Sequence, residues 1–395
     1  MNNKITNIFF FFTFSFFQIC IVFASDLKQI RIVSTANVHG ETDPCGWKKK
    51  PLGGLARKAS VIDELRSDGF DVVVLDAGNL LFKRETLDPG SPTEIAKLTG
   101  EIIINSFNKI GCKAFSPGSK DFAAGLAFVQ EMQNLANFPF ISANIFDING
   151  DRIFDPYTII EIDGLSLGIV GLASTFNHPE LYIKNPIKTI NEIIPEVNNQ
   201  SDILVLLFDS QESDLSQIQN IQSDIDLIIR SKSKIRSKDG GTKNIPAYSC
   251  GDRGKYLYQF DLAVVDPTQD FTDLALYQNQ KSQAEKKLNK MKQGKLMVDL
   301  YSIYKDDPQS LKKIENFESQ IKSANIALNN SINTISVTKH ELGKTINDRP
   351  DIIKIVDKGK NKITKTFGPQ PPPGTPTGNH RHIRHDHNGD GIPDH

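Results

Sequence analysis

The chain has 395 residues, a formal net charge of −1 at pH 7 and a sequence pI of about 6.7. This length accommodates one large α/β domain and an appended segment. A net charge so close to zero gives no global attraction to nucleic acid, so no nucleic-acid partner is predicted.

The first 24 residues have the pattern of a signal peptide. Lys4 precedes a Phe-rich apolar run from Ile8 to Phe23, and Ala24 stands before Ser25, which predicts cleavage after Ala24. The protein is then exported, to the periplasm or to the extracellular space. Because an apolar run of this length is close to what a bilayer span requires, an uncleaved N-terminal membrane anchor is the alternative.

Two apolar strands each lead directly into a loop with polar side chains. Residues 32–35 run into Ala36-Asn37-Val38-His39-Gly40, and residues 72–75 run into Asp76-Ala77-Gly78-Asn79. Apolar runs of this kind are typical of buried parallel sheet, and the loops that follow such strands are where binding sites lie. Three comparable segments follow at residues 117–122, 204–209 and 226–234.

In this order, the five segments resemble the metal-binding motifs of the 5′-nucleotidase branch of the calcineurin-like metallophosphoesterases. The family motifs read Asp-x-His-Gly, Gly-Asp, Gly-Asn-His-Asp/Glu, a His after an apolar strand, and Gly-Gly-His-Thr-His. Residues 51–58 resemble the family's Gly-Gly-Leu-Ala-Arg stretch, residues 157–174 its mid-domain hairpin, and residues 254–257 the segment that closes its catalytic domain. The resemblance covers residues 28–266 and implies an α/β fold, a two-sheet αββα sandwich.

Position by position, the resemblance implies that the two-metal centre has been lost. Seven positions correspond to metal ligands of the family, and all but the retained histidine carry another residue type: Asn37, His39, Asn79, Ser119, Asp209, Lys232 and Lys234. Lys120 stands where the family has the His that assists the leaving group. Two-metal hydrolysis needs ions held about 3.5–4 Å apart, and one surviving His cannot hold two ions.

The exchanges leave the motifs with three lysines, Lys120, Lys232 and Lys234. One interpretation is a cleft that stays positive without metal and binds phosphate, sulfate or a nucleotide through these ammonium groups, with the lysine run 48–50 nearby. The alternative is that the loops have drifted to soluble residues. We predict a phosphate-type anion or a nucleotide as ligand and no cofactor in the main domain. A hydrolase with residual or altered activity is the enzyme alternative.

Cys45 follows the first motif and precedes the lysine run, which favours a thiolate, so a thiol enzyme that uses Cys45 is another alternative. In a hydrolase with residual or altered activity, Cys45 or His39 is the candidate catalytic residue. The stretch also resembles nucleotidase-like (seleno)proteins, in which a Cys or selenocysteine is expected at the position of Trp47. An ordinary packed tryptophan is the simpler interpretation, and a UGA codon read as Trp is the alternative. Signal-peptide removal leaves Cys45, Cys112 and Cys250, an odd number, and the last two are expected to be buried, inert thiols.

Residues 267–366 are predicted to form an α-helical extension. Apolar residues recur at helical spacing from Leu274 to Met291 and from Ile314 to Ile335, with a break at Asp306-Asp307-Pro308. This pattern predicts a helical hairpin that packs on itself and on the main domain, and self-association through the hairpin is the alternative. One further short helix is expected around residues 352–356.

Residues 367–395 are predicted to be a disordered tail. A Pro-rich linker is followed by Asp386-His387-Asn388-Gly389-Asp390-Gly391-Ile392-Pro393-Asp394, which matches the first half of a calcium loop with Asp386, Asn388, Asp390 and Asp394 as candidate ligands. The chain ends at His395 before the carboxylate of the twelfth loop position. Five histidines in the tail favour zinc, copper or nickel instead. The alternative is a polar tail that binds metal only loosely.

Overall fold

The computed structural model describes residues 27–46, 49–221, 224–237, 245–294 and 298–370. The predicted signal peptide (residues 1–24) and the predicted tail ligands Asp386, Asn388, Asp390 and Asp394 lie outside these ranges. Within them, no helix combines the length and the apolar character that a bilayer span requires.

The strands in the described ranges are β1 (Lys28–Thr35), β2 (Pro44–Cys45), β3 (Leu52–Gly53), β4 (Val72–Asp76), β5 (Cys112–Phe115), β6 (Ile145–Asp147), β7 (Tyr157–Ile162), β8 (Leu165–Ala173), β9 (Leu181–Ile183), β10 (Ile203–Asp209), β11 (Leu227–Ser231), β12 (Ala247–Ser249), β13 (Tyr256–Val264), β14 (Phe271–Asp273) and β15 (Asn333–Glu341). The helices are α1 (Leu55–Ser67), α2 (Ser91–Ile110), α3 (Leu126–Leu135), α4 (Pro186–Asn198), α5 (Glu212–Ile221), α6 (Leu274–Met291), α7 (Leu300–Ile303), α8 (Pro308–Asn329) and α9 (Pro350–Phe367), with a 3₁₀ turn at Ser119–Phe122.

The long strands form two sheets. The first has six strands in the order β14-β15-β13-β1-β4-β5, in which β1, β4 and β5 run parallel and β13 is antiparallel to both of its neighbours. The second has five strands in the order β12-β11-β10-β8-β7, parallel except for β7. β2 pairs with β3, and β6 with β9, as small separate ribbons.

Side chains alternate between the two faces of each sheet and so define three layers of core. Ile32 and Val73 point between the sheets and pack in one cluster with Val205 from the second sheet. Val33 and its neighbours on the other face pack against α1, α2 and α9, and the outer face of the second sheet packs against α4 and α5. The predicted two-sheet αββα sandwich is confirmed.

Strand polarity brings the motif loops to one edge. β1 and β4 end side by side, with Thr35 opposite Asp76. In the second sheet Asp209 lies opposite Ser231, so β10 and β11 also end together. The loops that leave the carboxyl ends of these strands carry four of the five motif segments, and the 3₁₀ turn after β5 carries the other.

The segment after Asp266 is not only helical, contrary to the prediction for residues 267–366. α6 and α8 pack on each other as a helical pair, but α8 ends at Asn329. Ile335, predicted to continue the helical stripe, lies in β15, which pairs antiparallel with β13 and buries Ile335 between the sheets. Ile332 and Ile335 are three residues apart, which fits one face of a helix. Asn333, Ile335 and Val337 are each two residues apart, which fits one face of a strand.

The last helix is also longer than predicted. α9 covers 18 residues, Pro350–Phe367, where a short helix was expected. It packs against α1 and α2 and contributes Ile352, Val356 and Ile363 to the outer core of the first sheet. β14, β15 and α9 therefore extend the main sheet and its helical layer.

Candidate functional site

Four of the motif residues have a left-handed backbone. Asn37, His39, Asn79 and Lys232 have φ angles of 54°, 58°, 54° and 68°, a region that non-glycine residues seldom adopt and that is concentrated at functional sites. The loops are tied together by their main chains: the N–H of Asn37 donates to the carbonyl of Gly78 (2.8 Å), and the N–H of His39 donates to the carbonyl of Asn79 (3.0 Å). The fold thus holds the site loops in one defined arrangement.

Asn79 lies at the centre of the site and is fully buried. Its Nδ2 donates to Oδ1 of Asp209 at 2.8 Å and to Oδ1 of Asn37 at 3.3 Å. Its own Oδ1 accepts from the backbone N–H of Lys120 at 3.0 Å. The side chain expected to bridge two metal ions therefore bridges three protein groups.

Asp209 and Asn37 are also held by protein hydrogen bonds. Both carboxylate oxygens of Asp209 accept hydrogen bonds, from Ser231 Oγ (2.9 Å) and Asn79 Nδ2 on one side and from the N–H of Ser119 (3.0 Å) on the other. Oδ1 of Asn37 accepts from the N–H of Lys232 at 3.0 Å, while its Nδ2 donates to two backbone carbonyls. The hydroxyl of Ser119 donates outward to Glu85 at 3.0 Å.

These contacts test whether the residues present fit two metal ions. Asn37 and Asn79 offer neutral amide oxygens where carboxylates are expected, and Asp209 is the one carboxylate among the three, already bonded to protein donors on both oxygens. Among the described residues, no group of three or more His, Cys, Asp or Glu side chains is arranged to hold a metal ion. The residues do not fit the dinuclear centre that the resemblance implies.

His39 joins a line of three side chains. Its Nδ1 lies 3.1 Å from Oδ1 of Asp252, and its Nε2 lies 3.2 Å from Nζ of Lys120. Since the ammonium of Lys120 can only donate, Nε2 must accept, so Nδ1 carries the proton and lies beside the carboxylate of Asp252. Burial lowers the pKa of His39, and the charges of Lys120 and Lys234 add to the effect against the opposing influence of Asp252. The imidazole is thus held neutral in one tautomer.

Asp252 was not singled out in the sequence. Burial opposes its ionisation, but the hydrogen bond from His39 and the charges of His39, Lys255 and Lys234 outweigh burial and hold the pKa of Asp252 below its ordinary value. Its place in the chain could have indicated it, because Asp252 follows β12, the strand next to β11, and so lies at the same edge of the sheet as the motif loops. Its carboxylate orients His39 and partly balances the lysines.

The three candidate lysines have different environments. Lys120 is partly buried, and burial together with the charge of Lys234 lowers its pKa. Lys234 is exposed and close enough to influence Lys120, His39 and Asp252 electrostatically. For Lys232 the contact that defines its role is made by its backbone N–H, which anchors Asn37. The structure therefore groups Lys120 and Lys234 at His39.

The lysine run 48–50 does not join this group. Lys48 and Trp47 lie outside the described residues. Lys49 is exposed, and Nζ of Lys50 is paired with Glu341 at 2.7 Å. Lys49 and Lys50, the part of the run that the structure describes, therefore do not belong to the charge cluster at His39.

The surroundings of Cys45 do not favour the thiolate that the sequence predicts. Cys45 is 3% exposed, and burial, reinforced by the charge of Glu41, raises the pKa of its thiol above the ordinary value. Arg253, which lowers that pKa, is itself paired with Glu41. Cys112 and Cys250 are free, buried thiols whose pKa values are also raised by burial, as expected for inert cysteines.

Comparison with known proteins gives the site its context. No family model matches the chain. Over 158 residues, 38% of this chain and 26% of the other, it is 30% identical to a 5′-nucleotidase of Vibrio cholerae. Over 193 residues, 45% of this chain and 31% of the other, it is 29% identical to the snake venom 5′-nucleotidase of Gloydius brevicauda. The matches therefore span less than a third of each of these relatives.

Two solved structures share the architecture over most of the chain. The 5′-nucleotidase precursor from Thermus thermophilus aligns with a TM-score of 0.60 and 13% identity, over 86% of this chain and 59% of that one. The calcineurin-like phosphoesterase YfkN from Bacillus subtilis aligns with a TM-score of 0.57 and 14% identity, over 86% of this chain and 99% of that one. The chain therefore has the calcineurin-like metallophosphoesterase fold, and its relatives by sequence are 5′-nucleotidases, as its motifs predicted.

Proposed function

We propose that this chain is an exported, non-catalytic binder of phosphate-type anions, built on a metallophosphoesterase fold that has lost its two-metal centre. The observation that supports this most directly is the ammonium of Lys120, 3.2 Å from Nε2 of His39, the one retained metal-ligand histidine. A protein cation lies beside the nitrogen at which a metal would otherwise be expected.

Loss of catalysis follows from the charges at the former ligand positions. Asn79 and Asn37 contribute amides that bond to each other, and Asn79 also bonds to Asp209, so the position expected to bridge two ions carries no carboxylate. The remaining carboxylate, Asp209, is held by neutral donors. Two ions held at these positions would otherwise activate a water molecule for in-line attack on phosphorus.

Anion binding follows from the lysines. Burial lowers the pKa of Lys120, and the like charge of Lys234 lowers it further. An anion placed between two ammonium groups relieves this repulsion and accepts a hydrogen bond from each. Because the relatives are named as 5′-nucleotidases, the 5′-phosphate of a nucleotide is a natural candidate beside inorganic phosphate.

Calorimetric titration of the full chain with inorganic phosphate and with AMP tests the proposal. Lys234→Gln is expected to weaken binding of both anions by about tenfold, the effect of one charge-assisted hydrogen bond. Lys188→Gln, at an exposed position on α4, is the matched control and leaves the affinity unchanged. Unchanged binding in Lys234→Gln, or manganese-dependent release of phosphate from AMP, contradicts the proposal.

Export is supported by the pattern of the first 24 residues. N-terminal sequencing of the protein recovered from its native host tests this part separately. A mature N-terminus at Ser25 is the expected result, and a chain that begins at Met1 in the membrane fraction supports the anchored alternative.

A further inference from the structure

A cleft lies where the loop after β8 meets β9. It has a volume of about 440 Å³ and is lined by residues 175–179 and 181–183, which is within the size range of small-molecule sites. Phe176 and Tyr182 contribute aromatic rings to its lining, and Asn177 contributes a side-chain amide. Aromatic surface with a polar group that fixes orientation is the usual composition of a site for a flat ring.

One wall of the cleft is fixed by the protein itself. The ring centroids of Phe176 and His178 each lie 6.0 Å from that of Phe122. Nδ1 of His178 accepts from the backbone N–H of Glu180 at 3.3 Å, so Nε2 carries the proton and donates to the carbonyl of Phe122 at 3.2 Å. Phe176 and His178 are therefore held in place without a ligand.

The opposite side of the cleft is open and its polar groups are free. Tyr182 is 57% exposed, and within the described residues its hydroxyl makes no hydrogen bond and its ring stacks on no other ring. Asn177 is exposed, and its side-chain amide makes no hydrogen bond to any residue that the structure describes. Both side chains are thus accessible to a ligand in the cleft.

The cleft is built on the same segments as the anion site. Ser174, which directly precedes the cleft residues, donates its N–H to the carbonyl of Asp209 at 2.8 Å, and its Oγ accepts from the N–H of Gln211 at 2.8 Å. On the fixed wall, Phe122 closes the 3₁₀ turn that carries Lys120. The end of β10 and this turn therefore support both sites.

The free amide of Asn177 indicates which ring the cleft takes. Stacking on an aromatic side chain accepts any base, because every base has a π-face. An asparagine amide places a donor beside an acceptor, which matches the N7 acceptor and the N6 amino donor of adenine in a bidentate pair.

We propose that this cleft binds the adenine ring of a nucleoside or nucleotide, with Tyr182 stacked on the ring and Asn177 bonded to N6 and N7. The site goes beyond the proposed anion binding and does not depend on it, because the adenine ring is uncharged and none of its contacts involves Lys120 or Lys234.

Calorimetric titration of the full chain with adenosine, which carries no phosphate, tests the site. The unaltered protein is expected to bind one adenosine per chain, and Tyr182→Ala is expected to weaken this binding by about tenfold through loss of stacking. Tyr301→Ala, at an exposed position on α7, is the matched control and leaves the affinity unchanged. Because Tyr182 is exposed, the variant should unfold at the same temperature as the unaltered protein.

Purine riboside tests the role of the amide, since it keeps N7 but lacks the 6-amino group. The unaltered protein should bind it about fivefold more weakly than adenosine, the effect of one hydrogen bond. Asn177→Ala should remove this difference, whereas Asn289→Ala, exposed on α6, should retain it.

The outcomes separate this proposal from the proposed function. Absence of adenosine binding, or binding that Tyr182→Ala leaves unchanged, overturns the cleft while phosphate binding at Lys234 stands. N-acetyltyrosinamide that binds as tightly as adenosine overturns the adenine assignment in favour of an aromatic side chain. Titration with AMP identifies the source of the ring: tighter binding than adenosine that is lost in Lys234→Gln supports a nucleotide, and equal binding supports a nucleoside.

Discussion

The side-chain amide of Asn79 donates a hydrogen bond of 2.8 Å to the carboxylate of Asp209. Both residues are fully buried, and both stand at positions where metal ligands are expected from the resemblance. The contact requires an N–H donor at residue 79, which the carboxylate of a metal-bridging aspartate does not have. Asn79 is therefore the centre of a hydrogen-bond network among protein groups.

Asn79→Asp is expected to destabilise the protein. The change places two carboxylates in contact in a buried site and removes the donor to Asp209, so the free energy of unfolding should fall by about 2–4 kcal/mol. Urea denaturation followed by circular dichroism measures it. Asn105→Asp, on the exposed face of α2, is the control and should change the free energy little. If Asn79→Asp keeps full stability and manganese stabilises it further, the site binds metal and this prediction is wrong.

Lys58→Met is expected to destabilise the protein by about 3 kcal/mol, because it leaves a buried carboxylate without its cation. Nζ of Lys58 donates to Oγ1 of Thr35 at 3.0 Å, and that hydroxyl donates to Asp76 at 2.7 Å. Asp76 is the last residue of β4, and the loop that carries Asn79 follows it. The buried contacts of Lys58, Thr35 and Asp76 therefore stabilise the start of this loop. Lys354→Met, at an exposed position on α9, is the matched control. Equal stability of the two variants contradicts the role of Lys58 as the cation that compensates Asp76.

The stability of the protein should depend on pH through Asp76. Burial raises the pKa of Asp76 from 3.8 to about 6, against the opposing charge of Lys58. Between these values the folded protein binds the proton more tightly than the unfolded chain, so the contribution of Asp76 is full below pH 3.8 and is lost as the pH rises through about 6. Denaturation at a series of pH values should show this loss in the unaltered protein and a shallower slope in Asp76→Asn. A steeper slope in Asp76→Asn contradicts the sign.

Cys45 should be alkylated slowly in the native protein. Its thiol is buried and its pKa is raised above 9.0, so little reactive thiolate is present near neutral pH. Iodoacetamide labelling followed by peptide mass spectrometry should give a slower rate at Cys45 in the folded protein than in the protein unfolded by urea. Rapid native labelling that slows only at low pH is the result that a catalytic thiol requires.

The sequence was sufficient to predict the sandwich and the loops that meet at its edge. β4 and β10 are apolar runs that end at Asp76 and Asp209, and the resemblance to the family motifs located Asn37, Asn79 and Asp209 without coordinates. The hydrogen bonds between them could not be predicted, because they join residues up to 130 positions apart and depend on the relative placement of two sheets.

Other parts of the site depended on geometry that the pattern does not contain. Asp252 lies in no motif, and only the position of β12 beside β11 brings it to His39. The lysine run 48–50 indicated a positive environment for Cys45, yet Lys50 turns to Glu341 on β15. The start of β15 was predicted as helix, because the partner that makes it a strand, β13, is distant in the chain: the pairing runs from Ala263 with Thr334 to Tyr256 with Glu341.

Bound metal tests the central claim most directly. The full chain is prepared with the five tail histidines changed to glutamine, His380, His382, His385, His387 and His395, so that the tail does not contribute, and is purified in the presence of manganese and zinc. Inductively coupled plasma mass spectrometry after removal of loosely bound ions should find no stoichiometric manganese or zinc. Two tightly held ions per chain would contradict the account and identify the protein as a metal-dependent phosphoesterase.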